Sequence, residues 1–138
     1  MSRHIEPLPE LADAEVMYAA ADVADHQAVE QAIREAEARF GPTECLINDA
    51  GMADGRDFKL VDHASFAREI DTNLKGALNC ISVVPADMSR RHSGTIINIS
   101  SGGDRKTSAV AVTYTATKYA VRALASACAR RKGRAAPA

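Results

Sequence analysis

Short apolar runs alternate along this chain with longer stretches of helical periodicity. Residues 15–23, EVMYAAADV, are apolar up to Asp22 and predict a buried strand. In the following DHQAVEQAIREAEARFG, the apolar positions Val29, Ala32, Ile33, Ala36 and Phe40 recur at helical spacing. Asp25 is placed to cap the start of that helix, and Gly41-Pro42 to stop it. ECLINDAG is a second short apolar strand ending in small and polar residues, and the polar stretch from Met52 to Asp62 reads as a loop. From Ser65 to His92 the helical period returns, as two helices with a break before Asn73, a kink at Pro85 and a stop at Ser93-Gly94. TIINIS, β-branched and apolar, predicts a third strand ending at Ser100-Ser101. GGDRKTSA is a glycine-bearing loop, and a last helix is predicted from Val112 to Arg130.

Strand, helix, strand, helix, strand, helix implies a parallel sheet with covering helices, an α/β fold. Uninterrupted apolar strands suit burial on both faces. The 138 residues suffice for one small domain with a core. Apolar residues make up 46% and charged residues 25%, which is ordinary globular composition. The net charge of −1 gives no support to a nucleic-acid or membrane partner. Two basic runs, Arg90-Arg91-His92 and Arg130-Arg131-Lys132, read as solvated helix ends. Cys45, Cys80 and Cys128 are odd in number and lack metal-ligand spacing, so they are expected to be buried free thiols in a reducing compartment. Histidines 4, 26, 63 and 92 are scattered, and no metal site is expected. The N-terminus has no apolar signal segment and no stretch approaches the length of a membrane span, so the expected location is the cytoplasm.

Ligands of parallel sheets bind beyond the carboxyl ends of the strands. Here those ends carry Asp22, then Asn48-Asp49-Ala50-Gly51, then Ser100-Ser101, and all three sets are expected at one edge. Tyr114 and Lys118, one helical turn apart, follow just after that edge. An ammonium beside a phenol favours phenolate and lowers its pKa from about 10, which suits proton transfer. Taken alone, a Tyr-x-x-x-Lys pair reads first as an incidental pair on a surface helix. A nucleophile-elbow serine hydrolase does not fit: NISSG lacks the first glycine of the elbow, and no histidine follows Ser101, so a Ser–His–acid order with histidine last is impossible.

Five motifs in order resemble the short-chain dehydrogenase/reductase family: DVAD with Asp22, NDAG from Asn48 to Gly51, TNLKG with Asn73, GTIINISS with Ser101, and YTATK with Tyr114 and Lys118. The thirteen-residue gap from Ser101 to Tyr114 matches the family's spacing, and the similarity covers about residues 15–130. The resemblance implies a Rossmann-like, doubly wound parallel sheet and an NAD- or NADP-dependent oxidoreductase acting on a carbonyl or alcohol of a small molecule. It implies catalytic roles for Asn73, Ser101, Tyr114 and Lys118. Tyr114 would donate or take the proton, and Lys118 would hold its pKa down and bond the nicotinamide ribose. Ser101 would bond the substrate oxygen, and Asn73 would hold a relay water through its helix backbone. Asp22, Val23, Asn48, Ala50 and Gly51 would contact the cofactor together with Tyr114 and Lys118, and Asn48 would also brace the central strand. Helices 73–92 and 112–130 resemble those the family uses to form dimers or tetramers.

Each residue keeps a plainer reading. Asp22 can be a turn or helix-cap residue, Ser101-Gly102 and Ala50-Gly51 simple turns, and Asn73 a helix break. Asp49 stands where the family has asparagine, a costly exchange if buried unpaired. None of the eight glycines forms Gly-x-x-x-Gly-x-Gly or Gly-x-Gly-x-x-Gly, the loop whose amides meet the cofactor pyrophosphate. Met1 aligns just before the family's third strand, so residues 1–138 read as one partial domain without the first two strands, the last strands or the residue that separates NAD from NADP. The strand ending at Asp22 then has no neighbour, and Leu46-Ile47 presents a bare edge. The alternative function is a catalytically incompetent fragment that associates through its helices.

Overall fold

The computed structural model describes residues 1–3, 6–7, 9–102, 105 and 111–130, and of Phe58 and residues 127–130 only the backbone. Most of the predicted loop at 102–109, the basic residues 131–132, His4 and the Cys128 side chain therefore lie outside the described residues.

Helix α1 (His26–Phe40) is capped as its sequence predicts: the Asp25 side chain accepts hydrogen bonds from the amides of Gln27 and Ala28, and Gly41 closes the other end at φ 90°. Val29, Ala32 and Ile33 are buried, but Phe40 is exposed, with Arg39 stacked on its ring. Strand β1 (Cys45–Asn48) follows, then a loop and α2 (His63–Ile70), capped by Asp62. A widened turn, Asp71–Lys75, joins α2 to α3 (Gly76–Val83), with the Gly76 amide reaching five residues back to the Asp71 carbonyl. The expected helix break is this turn, and Asn73 lies inside it. Pro85 opens a separate α4 (Pro85–Arg91), which ends at His92 in a left-handed conformation. Strand β2 (Thr95–Asn98) and α5 (Val112–Arg130) complete the chain.

β1 and β2 pair in parallel, with Cys45 opposite Thr95 and Asn48 opposite Asn98. Leu46 and Ile96 turn to one face and pack on Val29, Ile33, Cys80, Val83, Val84 and Met88 of the helical layer. Burial of a side chain such as Val29 or Val84 contributes about 1.5–3 kcal/mol. The fold is α/β, as expected.

Residues 15–23 do not form the predicted strand. They make a single parallel bridge, Ala20 with Ser2, in which Ser2 N donates to Ala19 O (3.1 Å) and Ala21 N to Ser2 O (3.0 Å). A strand needs a continuous partner, and among the described residues only Ser2 is alongside. Cys45 is exposed, contrary to expectation, because nothing among the described residues packs on its face of β1; Cys80 is buried.

Gly76 shows how tightly α3 meets the 22–25 turn. A Cβ there would sit 2.6 Å from Val23 Cγ2 and 3.0 Å from Val23 Cβ, a stiff side chain that cannot swing away. Gly76→Ala should therefore destabilise the chain by about 1–3 kcal/mol despite alanine's better helix propensity. A lowered urea midpoint would show this.

Candidate active site

The site starts at Asn73. Only 2% of it is exposed, and every polar atom of its amide is used. Asn73 Oδ1 accepts from Met52 N (2.7 Å), while Nδ2 donates to Met52 O (2.8 Å) and to Thr117 Oγ1 (3.1 Å). Thr117 Oγ1 in turn donates to the Tyr114 carbonyl (2.7 Å). One amide thus fastens the chain after β1 to the helix that carries Tyr114. Sequence reasoning missed Met52 and Thr117, although Thr117 follows Tyr114 by three residues and so shares its face.

Lys118 lies on the same helix, 5% exposed, its ammonium donating to the Ile99 carbonyl just past β2 (2.8 Å). Among the described residues no carboxylate pairs with it. Its Nζ is 5.7 Å from the centre of the Tyr114 ring, so the predicted Tyr–Lys pair does meet on one helix face. Gly51 approaches this centre closely: a Cβ there would lie 3.6 Å from both Lys118 Nζ and Asn73 Oδ1.

These groups border a cleft of about 720 Å³. Asp22, Val23, Asn48, Ala50, Gly51, Asn73 and Lys118 line it, so the end of the 15–23 segment and the end of β1 share one edge; Ser101 and Tyr114 are not on its walls. Asp22 takes a turn role, its Oδ1 accepting from Ala24 N (2.9 Å), with Arg3 3.9 Å from its other oxygen. Asn48 braces the sheet as expected, donating to Asn98 Oδ1 (2.8 Å). Asp49 is exposed at the cleft mouth, which removes the burial cost of its charge. Arg3, which sequence reasoning passed over, also lines the cleft beside Asp22.

The loop leading into α2 is tied down separately. The buried Glu69 carboxylate accepts from Asp54 N, and Arg56 pairs with the Asp54 side chain. The Arg56 hydrogen bond is the largest influence on the Asp54 carboxyl and holds it down at about 2.

A family model described as short chain dehydrogenase matches residues 2–135. The chain belongs to the short-chain dehydrogenase family. It is 36% identical over 110 residues to the 3-oxoacyl-(acyl-carrier-protein) reductase FabG of Staphylococcus aureus, a match covering 80% of this chain and 45% of that protein. It is 33% identical over 109 residues to an acetoacetyl-CoA reductase of Acinetobacter, covering 79% and 44%. Among solved structures, a gluconate 5-dehydrogenase of Burkholderia cenocepacia in complex with NADP and tartrate superposes with a TM-score of 0.74 at 35% identity, covering 80% of this chain and 44% of that one. The chain thus spans less than half the length of these short-chain dehydrogenase relatives. Among the described residues no helix is long and apolar enough to cross a membrane, and no group of three or more His, Cys, Asp or Glu residues could hold a metal ion.

Proposed function

We propose that this chain carries the catalytic half of an NAD(P)-dependent oxidoreductase site that interconverts a carbonyl and an alcohol. The observation carrying this reading is the buried Lys118 ammonium, seated on the Tyr114 ring and beside Gly51 at the cleft wall. The residues present suit a nicotinamide dinucleotide. Glycine at 51 allows close backbone approach, the cleft has ligand size, and donors and a carboxylate stand along it. When bound, the cofactor supplies or accepts the hydride.

In this reading Tyr114 hands its phenolic proton to the substrate oxygen in reduction and takes it back in oxidation. Lys118 holds its positive charge over the Tyr114 ring and bonds the ribose. Ser101 donates to the substrate oxygen as charge builds there. Asn73 keeps the chain after β1 in register with Tyr114, and the widened turn around it sets its backbone for the relay water. Asn48, Ala50 and Gly51 line the cofactor's path, while Asp22 and Val23 flank the adenine. Arg3, beside Asp22, takes the 2′-phosphate and so favours NADP over NAD. Adenosine 2′,5′-bisphosphate should then bind more tightly than AMP, and Arg3→Ala should remove a difference of about tenfold, as expected for one charge-assisted contact. Equal affinities in the unaltered chain would refute the assignment. The oxidoreductase reading itself is tested by NADPH consumption with a 3-oxoacyl thioester, the substrate type named for the reductases above.

A second reading has its own support. The eight glycines include no pyrophosphate-binding pattern, so the same residues suit an association module without turnover. Leu78 and Tyr119, both exposed, stand on the helices 73–92 and 112–130 through which copies would meet.

A further inference from the structure

We infer that Asn79 of α3 is a positioning residue for the nucleotide end of the cleft. It orients the Asp22 carboxylate through a single peptide plane and does not itself line the cleft. The inference rests on the oxidoreductase reading, which puts Asp22 and Val23 beside the adenine.

Asn79 is only 9% exposed, and a buried amide needs partners for its N–H groups. Its Nδ2 donates to the Val23 carbonyl (2.8 Å), 56 residues away in the chain. That carbonyl belongs to the Val23–Ala24 peptide. The N–H of the same peptide, on Ala24, donates to Asp22 Oδ1 (2.9 Å). Both ends of one planar unit are therefore occupied, one by Asn79 and the other by Asp22. Rotating the peptide would break both bonds together, so the orientation Asn79 imposes on the carbonyl is passed to the carboxylate. With Oδ1 committed to the backbone, Oδ2 is the oxygen 3.9 Å from Arg3 at the cleft wall.

Other contacts fix the turn's shape and depth but not this peptide. Asp25 N donates to the Asp22 carbonyl (3.0 Å), a local bond that closes the turn without relating it to α3. The Val23 side chain packs on the core cluster and against Gly76, which sets how deep the turn sits. Three residues beyond Asn79, Ser82 Oγ donates to the Asn79 carbonyl (2.7 Å). Its proton is thereby used, so it accepts from His26 Nε2 (3.0 Å) at the start of α1. That bond holds the far side of the turn. An apolar residue at 79 would fill the same space and leave the Val23 carbonyl without its partner.

One helical segment thus serves both ends of the cleft. Asn73 ties it to Met52 beside Lys118, and Asn79, about 9 Å further along the axis, ties it to Val23 beside Asp22.

The test is an NMR titration of the full chain with adenosine 2′,5′-bisphosphate, repeated with Asn79→Leu, Asp22→Ala and the double variant. Asn79→Leu is expected to weaken binding by about tenfold, and to add nothing once Asp22→Ala has removed the carboxylate through which it acts. Exchange of the Ala24 amide should accelerate by about tenfold in Asn79→Leu, while that of Met52 stays unchanged. Ser82→Ala frees His26 but leaves the Val23–Ala24 peptide bonded, so its affinity should stay within about twofold of the unaltered chain. If leucine disturbs folding by circular dichroism, Asn79→Ala makes the same comparison with a smaller side chain that suits a helix. Unaltered affinity in Asn79→Leu would overturn the inference. So would an equal loss with and without the Asp22 carboxylate, which is the behaviour of a general brace. If the unaltered chain takes no bisphosphate while Ala24 exchange still responds to Asn79→Leu, the nucleotide reading fails and the inference falls with it. Ala24 exchange that does not respond removes the peptide link itself.

Discussion

Asn73→Ala is expected to destabilise the chain by about 2–4 kcal/mol, the largest single loss available at the site that needs no change of core volume. The alanine leaves Met52 N–H and Met52 C=O without the partners they have at 2.7 and 2.8 Å, and removes the donor to Thr117. Burial prevents water from replacing all three at once. The effect should be directional as well as large. Amide exchange should accelerate first at Met52 and in the widened turn, before α1 is affected, because α1 is held by the separate Val29–Ile33 cluster. Asn73→Asp should be nearly as damaging, since a carboxylate cannot donate to the Met52 carbonyl. A urea midpoint unchanged in Asn73→Ala would remove the clamp from the account.

Tyr114→Phe should lower turnover by about 10²–10⁴-fold while leaving cofactor binding and stability nearly intact, the usual range for loss of a proton-transfer group. Tyr114 is half-buried, and its ring rather than its hydroxyl meets Lys118, so phenylalanine keeps the packing. This separates a chemical role from a structural one: the chemical role moves kcat, the structural one moves the urea midpoint. A variant with unaltered turnover would show that Tyr114 is a surface residue with an incidental lysine partner.

Much of this was legible in the sequence where local rules decide the outcome. Asp25 and Gly41 delimit α1 through capping chemistry that acts over four residues, and α5 occupies the range its periodicity predicts. The two paired strands are short β-branched or apolar runs bounded by polar residues, and they fell where expected. What escaped was what depends on partners distant in sequence. Residues 15–23 have strand composition, but a strand is defined by its neighbour, and among the described residues only Ser2 is there. Cys45 has a buried residue's chemistry, yet its burial would need a layer over the second face of β1. The turn at Asp71–Lys75 has no composition signal distinguishing it from an ordinary helix, so only the hydrogen bond from Gly76 to Asp71 identifies it. Motif spacing singled out Asn73 and Lys118 as candidates but gave no sign of their neighbours, the Met52 backbone and Thr117, because the Asn73 clamp joins chain segments more than twenty residues apart. Arg3 sits beyond the region of resemblance read from the motifs, and only its place beside Asp22 brings it to the cleft.

Whether the cleft beside Lys118 takes a nicotinamide cofactor is decided by a fluorescence titration of the full chain with NADPH, run alongside Lys118→Met with folding checked by circular dichroism. Without a glycine-rich loop to hold the pyrophosphate, weak saturable binding is expected, with Kd of about 1 mM, corresponding to about −4 kcal/mol. Lys118→Met is expected to abolish the binding. No saturable binding by the folded chain, or binding that Lys118→Met leaves unchanged, would contradict the cofactor-site reading.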